Sequence, residues 1–372
     1  MNRQVLILSA PIGAGHMLAA RAIRERIAAE YDHVDVVEAT AFDFLPWNIG
    51  QVFLRVYLSI LRLCPWLYQA AYRWGNQQNG SLIVRDCLNT WLAKRAEKWL
   101  RGQHPSCIIC THATPAGIAC AWKRKYKQSV PLYGIVTDYV VHSWWIYNEV
   151  NAYFVAHEQV KAALAARLQP HQKVYVSGIP IRGGFAHPVD RNTFREQQNL
   201  PQGTFVCLLM GGGNGLLPMA ELIECCCKIT QVHVVAITGG NKDLYEQLLP
   251  YSAKNITVLG LVNNIWDWMN AADLLVSKAG GVTAAEALAM GLPLAFYRPL
   301  PGQEMGNVRF LEKIGAAVQI VDCQALKAHV LGLQQRSAQA GLTTHSKNVE
   351  TAAHVIALTV LGENSTSLCK KA

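Results

Sequence analysis

The chain has 372 residues, of which 51% are hydrophobic and 16% charged, with a formal net charge of +9. Such a length suits two domains better than one, and no run of 18 uncharged apolar residues points to a membrane-spanning helix. Residues 1–190 carry 20 Lys+Arg against 12 Asp+Glu (+8), whereas residues 191–372 carry 14 against 13 (+1), so one half is expected to meet an anionic surface, nucleic acid or lipid.

The opening Met1-Asn2-Arg3-Gln4 leads straight into a buried strand over 5–9, not a secretory leader, so a cytoplasmic protein is expected. A glycine turn and a helix over about 16–30 follow, then strands over 34–38, 107–111, 132–137, 152–156 and 174–177 with helical patterns between them. Cys107 and Cys110 lie within one of these strands; with eleven cysteines at irregular spacing, packed reduced thiols are expected, with no metal. The polar stretch 183–202 marks a junction, dividing the chain into domains over 1–190 and 191–362 with a polar tail over 363–372. The pattern then restarts, with strands over 204–210, 232–238, 256–262, 273–277 and 292–297. Strands alternating with helices indicate the α/β class, two doubly wound parallel sheets in tandem, with ligands expected at the carboxyl ends of the strands and in a cleft between the domains.

Several glycine turns sit where such sheets bind ligands. Gly13-Ala14-Gly15-His16 opens the first helix, where backbone N–H groups attract an anion or polar oxygen. With Glu38 on the second strand for a ribose, the same turn also fits a nicotinamide-dependent oxidoreductase, and a purely structural turn is a third reading. His16 is placed to act as a base near neutral pH or to cap the helix. After the fourth strand, Thr137-Asp138 runs to His142, Trp144 and Trp145: an acid to assist the base, a histidine, and two indoles to cover a sugar or acyl face, or else a structural loop. In the second half, Gly211-Gly212-Gly213-Asn214 follows a strand, and Ser277-Lys278-Ala279-Gly280-Gly281 opens a helix bearing Glu286. Gly280 and Gly281 suit a phosphate, Glu286 the vicinal hydroxyls of a ribose, and Gln303 and Glu304 the hydroxyls of a sugar.

These stretches, with Val176-Ser177-Gly178-Ile179-Pro180-Ile181-Arg182, resemble the lipid glycosyltransferases that include monogalactosyldiacylglycerol synthases, processive diacylglycerol glucosyltransferases and, more distantly, the N-acetylglucosaminyltransferase of lipid II synthesis. Pro11 ahead of the glycine turn is a departure. The resemblance implies a GT-B fold, with an acceptor domain followed by a UDP-sugar domain, and inverting transfer of glucose or galactose to diacylglycerol without an essential metal or other cofactor. It implies His16 as general base assisted by Asp138. It implies donor contacts from Gly211, Gly212, Gly213, Asn214, Val262, Lys278, Gly280, Gly281, Glu286, Gln303, Glu304 and Asn307. Gly13, Gly15, His142, Trp144, Trp145, Arg55, Arg62 and Trp66 would serve the acceptor or the membrane.

A lipid acceptor requires the protein to lie on a bilayer. The stretch 44–74 is rich in aromatic and aliphatic residues with Arg55 and Arg62 interspersed, and Pro65 should break it into two helices. It is either a membrane-facing surface, with an anionic leaflet rather than nucleic acid as the partner of the basic half, or core beneath the acceptor site. The expected location is the inner face of the membrane, peripherally bound. Beside the transferase stand two other readings: the oxidoreductase, and a non-catalytic UDP-sugar sensor.

Overall fold

The computed structural model describes residues 3–45, 49–76, 81–211, 217–340 and 352–362. They form two compact units. The first runs to Gly183 and also takes in the turn Pro301–Gln303 and the last helix, Ala352–Leu361; the second covers Gly184–Leu300 and the chain from Glu304 to residue 340.

In the first unit, strands β1 (Arg3–Ser9), β2 (Val34–Thr40), β3 (Cys107–Cys110), β4 (Leu132–Ile135), β5 (Ala152–Val155) and β6 (Lys173–Val176) form one parallel sheet in the order β2-β1-β3-β4-β5-β6. Runs such as Val5-Leu6-Ile7-Leu8 and Cys107-Ile108-Ile109-Cys110 are wholly buried, as a strand covered by helices on both faces must be. In the second unit, β7 (Phe205–Met210), β8 (Val232–Ile237), β9 (Ile256–Leu259), β10 (Leu274–Ser277), β11 (Leu294–Tyr297) and β12 (Val318–Ile320) form a parallel sheet in the order β12-β11-β10-β7-β8-β9. Each sheet therefore reverses direction once, between β1 and β3 in the first and between β7 and β10 in the second, and a crevice opens at such a point.

Eleven of these strands match the sequence expectation to within a few residues. The exceptions have physical causes. The strand expected over 256–262 ends at Leu259, leaving Val262 in the following loop. β12 has only three residues and no flanking apolar run to announce it. The junction falls at Gly183 rather than 190, because Val189 already belongs to the second unit: its N–H donates to Asp267 at 2.8 Å. The helix Ala352–Leu361 returns to the first unit instead of closing the second, since Ile356, Ala357, Val360 and Leu361 pack against Ile23, Ile27 and Tyr31.

Candidate functional site

At the reversal point of the first sheet, the chain leaving β1 must turn at once into the helix Ala14–Glu30. Gly13 makes that turn with φ of 91°, a conformation that favours glycine. Gly15 then lies in the first helical turn, followed by His16. The Nδ1 of His16 is 3.0 Å from the carbonyl oxygen of Thr111, beyond β3, and 2.8 Å from the hydroxyl of Thr137, beyond β4. Thr111 is tied in return, its hydroxyl donating to the His16 carbonyl at 2.9 Å. A carbonyl only accepts, so Nδ1 carries the proton of the neutral ring and Nε2 is its basic nitrogen. Three strand ends thus fix one imidazole.

The sequence reading missed a second imidazole. His112 caps the helix Ala113–Tyr126, its Nδ1 accepting from the Thr114 N–H at 3.1 Å, and its ring meets that of His16 edge-on at 4.6 Å. Burial, reinforced by His16, holds His112 well below the usual histidine range. Its only signal in the sequence is a position just past a strand's carboxyl end.

Asp138 is buried and accepts from the Gln303 side-chain amide, so the turn Pro301–Gln303 is attached to the first unit through a residue expected to touch the donor sugar. Burial, followed by the charge of Asp138, pushes the Tyr72 phenol up to about 12. His142 accepts from the Trp144 N–H at 3.2 Å and lies 3.3 Å from the Tyr72 carbonyl, and burial lowers its pKa. Trp144 is half-buried. Trp145 is buried beside Gly134, with its carbonyl accepting from the Tyr153 hydroxyl at 2.7 Å, so it is a core residue rather than a cover for an acyl or sugar face. Glu38, the ribose ligand of the oxidoreductase reading, pairs with Arg24 at 2.8 Å.

In the second unit, Gly211 follows β7, and Ser277 at the end of β10 donates to the Met210 carbonyl at 2.7 Å, holding the two strand ends at the reversal point together. The helix Gly281–Ala289 starts there with Gly280 as its N-cap and no side-chain cap, the Gly280 N–H donating to the Lys278 carbonyl at 2.8 Å. Glu286 is buried within this helix. Asn307 is buried too, and donates to the Ala279 carbonyl at 2.9 Å, bracing the loop before the helix. Glu304 is 3.3 Å from Lys278 Nζ and accepts from the Leu300 N–H at 3.0 Å, so this carboxylate is engaged in fixing the 298–304 turn. Gly212, Gly213 and Asn214 lie outside the described residues.

The stretch 49–76 forms two helices, Ile49–Leu63 and Pro65–Asn76, broken at the proline as expected. Val52, Phe53, Val56, Leu63, Trp66 and Trp74 are exposed on them, as is Arg55, so the segment is not simply core; the Arg62 side chain lies outside the described residues. Among the described residues no helix is long and apolar enough to cross a membrane.

Residues 16–181 match the family model of monogalactosyldiacylglycerol synthase, and residues 206–358 match the carboxyl-terminal domain of glycosyltransferase family 28. Processive diacylglycerol beta-glucosyltransferase of Bacillus cereus strain AH187 is 30% identical, with 90% of this chain and 86% of the relative covered. The enzyme of that name from Bacillus subtilis strain 168 is also 30% identical, over 86% and 84%. Among solved structures, Acinetobacter baumannii MurG superposes with a TM-score of 0.55 at 16% identity, covering 97% of this chain and 99% of that one. Anabaena HepE in complex with UDP and glucose does so with 0.52 at 15% identity, covering 97% of each. Both likenesses agree with a GT-B fold.

Proposed function

Because this chain belongs to the lipid glycosyltransferase family of monogalactosyldiacylglycerol synthases and diacylglycerol glucosyltransferases, we propose that His16 is the base with which it transfers a hexose from a UDP-sugar to diacylglycerol. The chain is a UDP-sugar-dependent hexosyltransferase. We take the hexose to be glucose, since the relatives matched over nine-tenths of the chain are glucosyltransferases by name.

The observation that carries the role of His16 is the contact of its Nδ1 with the Thr111 carbonyl. With Nδ1 donating to the Thr111 carbonyl, Nε2 is the nitrogen that would take a proton. As the lipid hydroxyl oxygen bonds to the anomeric carbon, Nε2 takes its proton and the bond from that carbon to the diphosphate breaks, inverting the centre. The leaving diphosphate gathers negative charge, which the N–H groups of the first helical turn from Gly281 and the cation of Lys278 are suited to stabilise. Glu286 would hold the ribose. These donors make a metal unnecessary in our reading. Asp138, joined to Gln303, holds the acceptor side in order.

His16→Ala should reduce turnover by at least about a hundredfold, the span of general-base catalysis, with UDP affinity retained. The check is product lipid formed on diacylglycerol vesicles with UDP-glucose and with UDP-galactose, each with and without EDTA. Full activity of the variant would move the base role to Asp138, and loss of wild-type activity in EDTA would end the metal-free reading.

We further propose that the exposed apolar residues of the helices Ile49–Leu63 and Pro65–Asn76, with Arg55, seat the enzyme on an anionic bilayer. Withdrawing one large apolar side chain from water is worth about 1.5–3 kcal/mol, so Val52→Ser with Trp66→Ser should weaken vesicle binding at least roughly tenfold. Co-sedimentation at low and high salt measures it; unaltered binding of the double variant rules this surface out.

A further inference from the structure

The helix Pro65–Asn76 faces two ways. Trp66, Leu67 and Trp74 are exposed on it, so much of its apolar surface takes no part in a core. Its last turn, by contrast, is fastened to one loop, the stretch from Asp138 to Trp145 that follows β4. Asn76 supplies the firmest tie. Its Oδ1 accepts from the Ser143 N–H at 3.0 Å and lies 2.8 Å from the Ser143 hydroxyl, which is also 2.9 Å from the Asn76 carbonyl. That hydroxyl has one hydrogen for these two oxygens, while its own oxygen accepts from Arg167 at 2.7 Å. Ser143 is buried, so its polar groups depend on these partners.

A second tie lies one turn earlier. His142 Nδ1 accepts from the Trp144 N–H, which leaves the ring hydrogen on Nε2 to donate to the Tyr72 carbonyl at 3.3 Å. Between the two ties Gly75 is buried, and a Cβ there would lie 3.3 Å from the His142 ring and 3.5 Å from Trp144 Nε1, so helix end and loop meet closely. The two halves of the loop are held differently. From Trp145 onward the body of the unit holds it: the Tyr153 hydroxyl donates to the Trp145 carbonyl at 2.7 Å, and the Gln172 amide donates to the carbonyls of Tyr147 and Val150, both at 2.8 Å. Before Trp145 the ties run to the helix end, with Arg167 adding a bond to the Val141 carbonyl at 3.4 Å. This first half begins at Asp138, and Thr137 just ahead of it places its hydroxyl 2.8 Å from His16 Nδ1.

A helix kept for folding alone would bury its apolar side chains instead of committing its last turn to a single loop. The helix that turns indoles toward solvent thus also sets the loop beside the base. We propose that Asn76 is a positioning residue for the transfer: it ties the Asp138 loop to the helix that meets the bilayer, so that a hydroxyl presented at the lipid surface reaches His16 in one fixed place. This rests on the reading of His16, diacylglycerol and the membrane-facing helices above. Transfer needs the hydroxyl oxygen within reach of the base and of the anomeric carbon together, and a misplacement of about 1 Å can cost about a hundredfold in rate. Asn76 acts through Ser143, so its loss belongs in kcat and not in KM for the UDP-sugar.

The test uses the full chain, UDP-glucose, and vesicles of an anionic phospholipid containing diacylglycerol. Asn76→Ala should lower kcat at least about tenfold, with KM for UDP-glucose and vesicle co-sedimentation within about twofold of wild type. Asn76→Asp keeps an oxygen for the Ser143 N–H and hydroxyl and should recover most of the lost turnover. Ser143→Ala keeps the N–H and loses the hydroxyl, so its kcat should fall less. The double variant should be no slower than Asn76→Ala alone, because both changes break one connection. Thermal melts confirm that the variants fold. Wild-type kcat in Asn76→Ala, an equally slow Asn76→Asp, or additive losses in the double variant would overturn the proposal. So would a loss of vesicle binding that matches the loss of turnover, since Asn76 would then serve only the shape of the helix. Wild-type enzyme that leaves diacylglycerol untouched refutes instead the functional reading on which the proposal stands.

Discussion

The paired imidazoles His16 and His112 do different work, although their rings touch. The place of His16 at the head of a helix was legible because a histidine after a glycine turn stands out there. His112 was not, since Thr111-His112-Ala113 has no pattern of its own and only the folded sheet brings β1 beside β3. The state of His112 has a consequence for stability. Its native pKa lies below the unfolded value of about 6.5, so as pH falls the unfolded chain binds the proton first. The stabilisation is fully present above that value and is lost toward the native pKa, by up to about 1.4 kcal/mol per pH unit. His142, His233 and His329 are lowered by burial as well and act in the same direction. Replacing His112 by Asn keeps an N-cap acceptor and removes the titration. Urea denaturation across the range from about pH 7.5 to about pH 5.5 should show a flatter loss of stability in His112→Asn. An equally steep loss would mean that His112 does not remain neutral.

At the scale of elements, the apolar runs of the strands were plain because two-sided burial demands them, whereas the three residues of β12 offer too few side chains for any period to show. The helices Ile49–Leu63 and Pro65–Asn76 announced themselves as amphipathic, yet the sequence left open whether their apolar faces met protein or solvent. The packing of Ser81–Gly102 on Ala113–Tyr126 was likewise hidden. It depends on Gly117, where a methyl group would collide with the amide of Asn89 and the hydroxyl of Tyr147. Those two atoms bond each other at 2.9 Å, and the Arg85 guanidinium sits 4.1 Å above the Tyr147 ring, so neither is free to step aside. Ala gains about 1 kcal/mol over Gly in a helix, but overpacking costs about 1–3 kcal/mol and an unsatisfied buried polar group about as much again. Gly117→Ala should therefore destabilise by about 2 kcal/mol in chemical denaturation. A more stable variant would show that the two helices have room to separate.

Across the whole molecule, the chain does not simply build one unit and then the other. Its final helix returns to the first unit, which the sequence could not disclose, because an apolar helix such as Ala352–Leu361 carries no mark of which sheet it covers. The return is secured at both levels of chemistry: Ile356 is fully buried against the first core, Arg3 donates to the Leu361 carbonyl at 2.7 Å, and His354 lies 2.9 Å from Glu30. The first sheet, which fixes His16, thus depends on residues far along the chain. Ile356→Ala should cost about 2–5 kcal/mol, and the loss should be confined to the first unit. Native-state hydrogen exchange separates the two cases: amides of β1 and β3 should exchange at least roughly tenfold faster, while those of β7 and β10 keep their protection. Turnover should then fall with the population of intact first unit. Equal loss of protection in both sheets would instead mean that the helix supports the molecule as a single cooperative body.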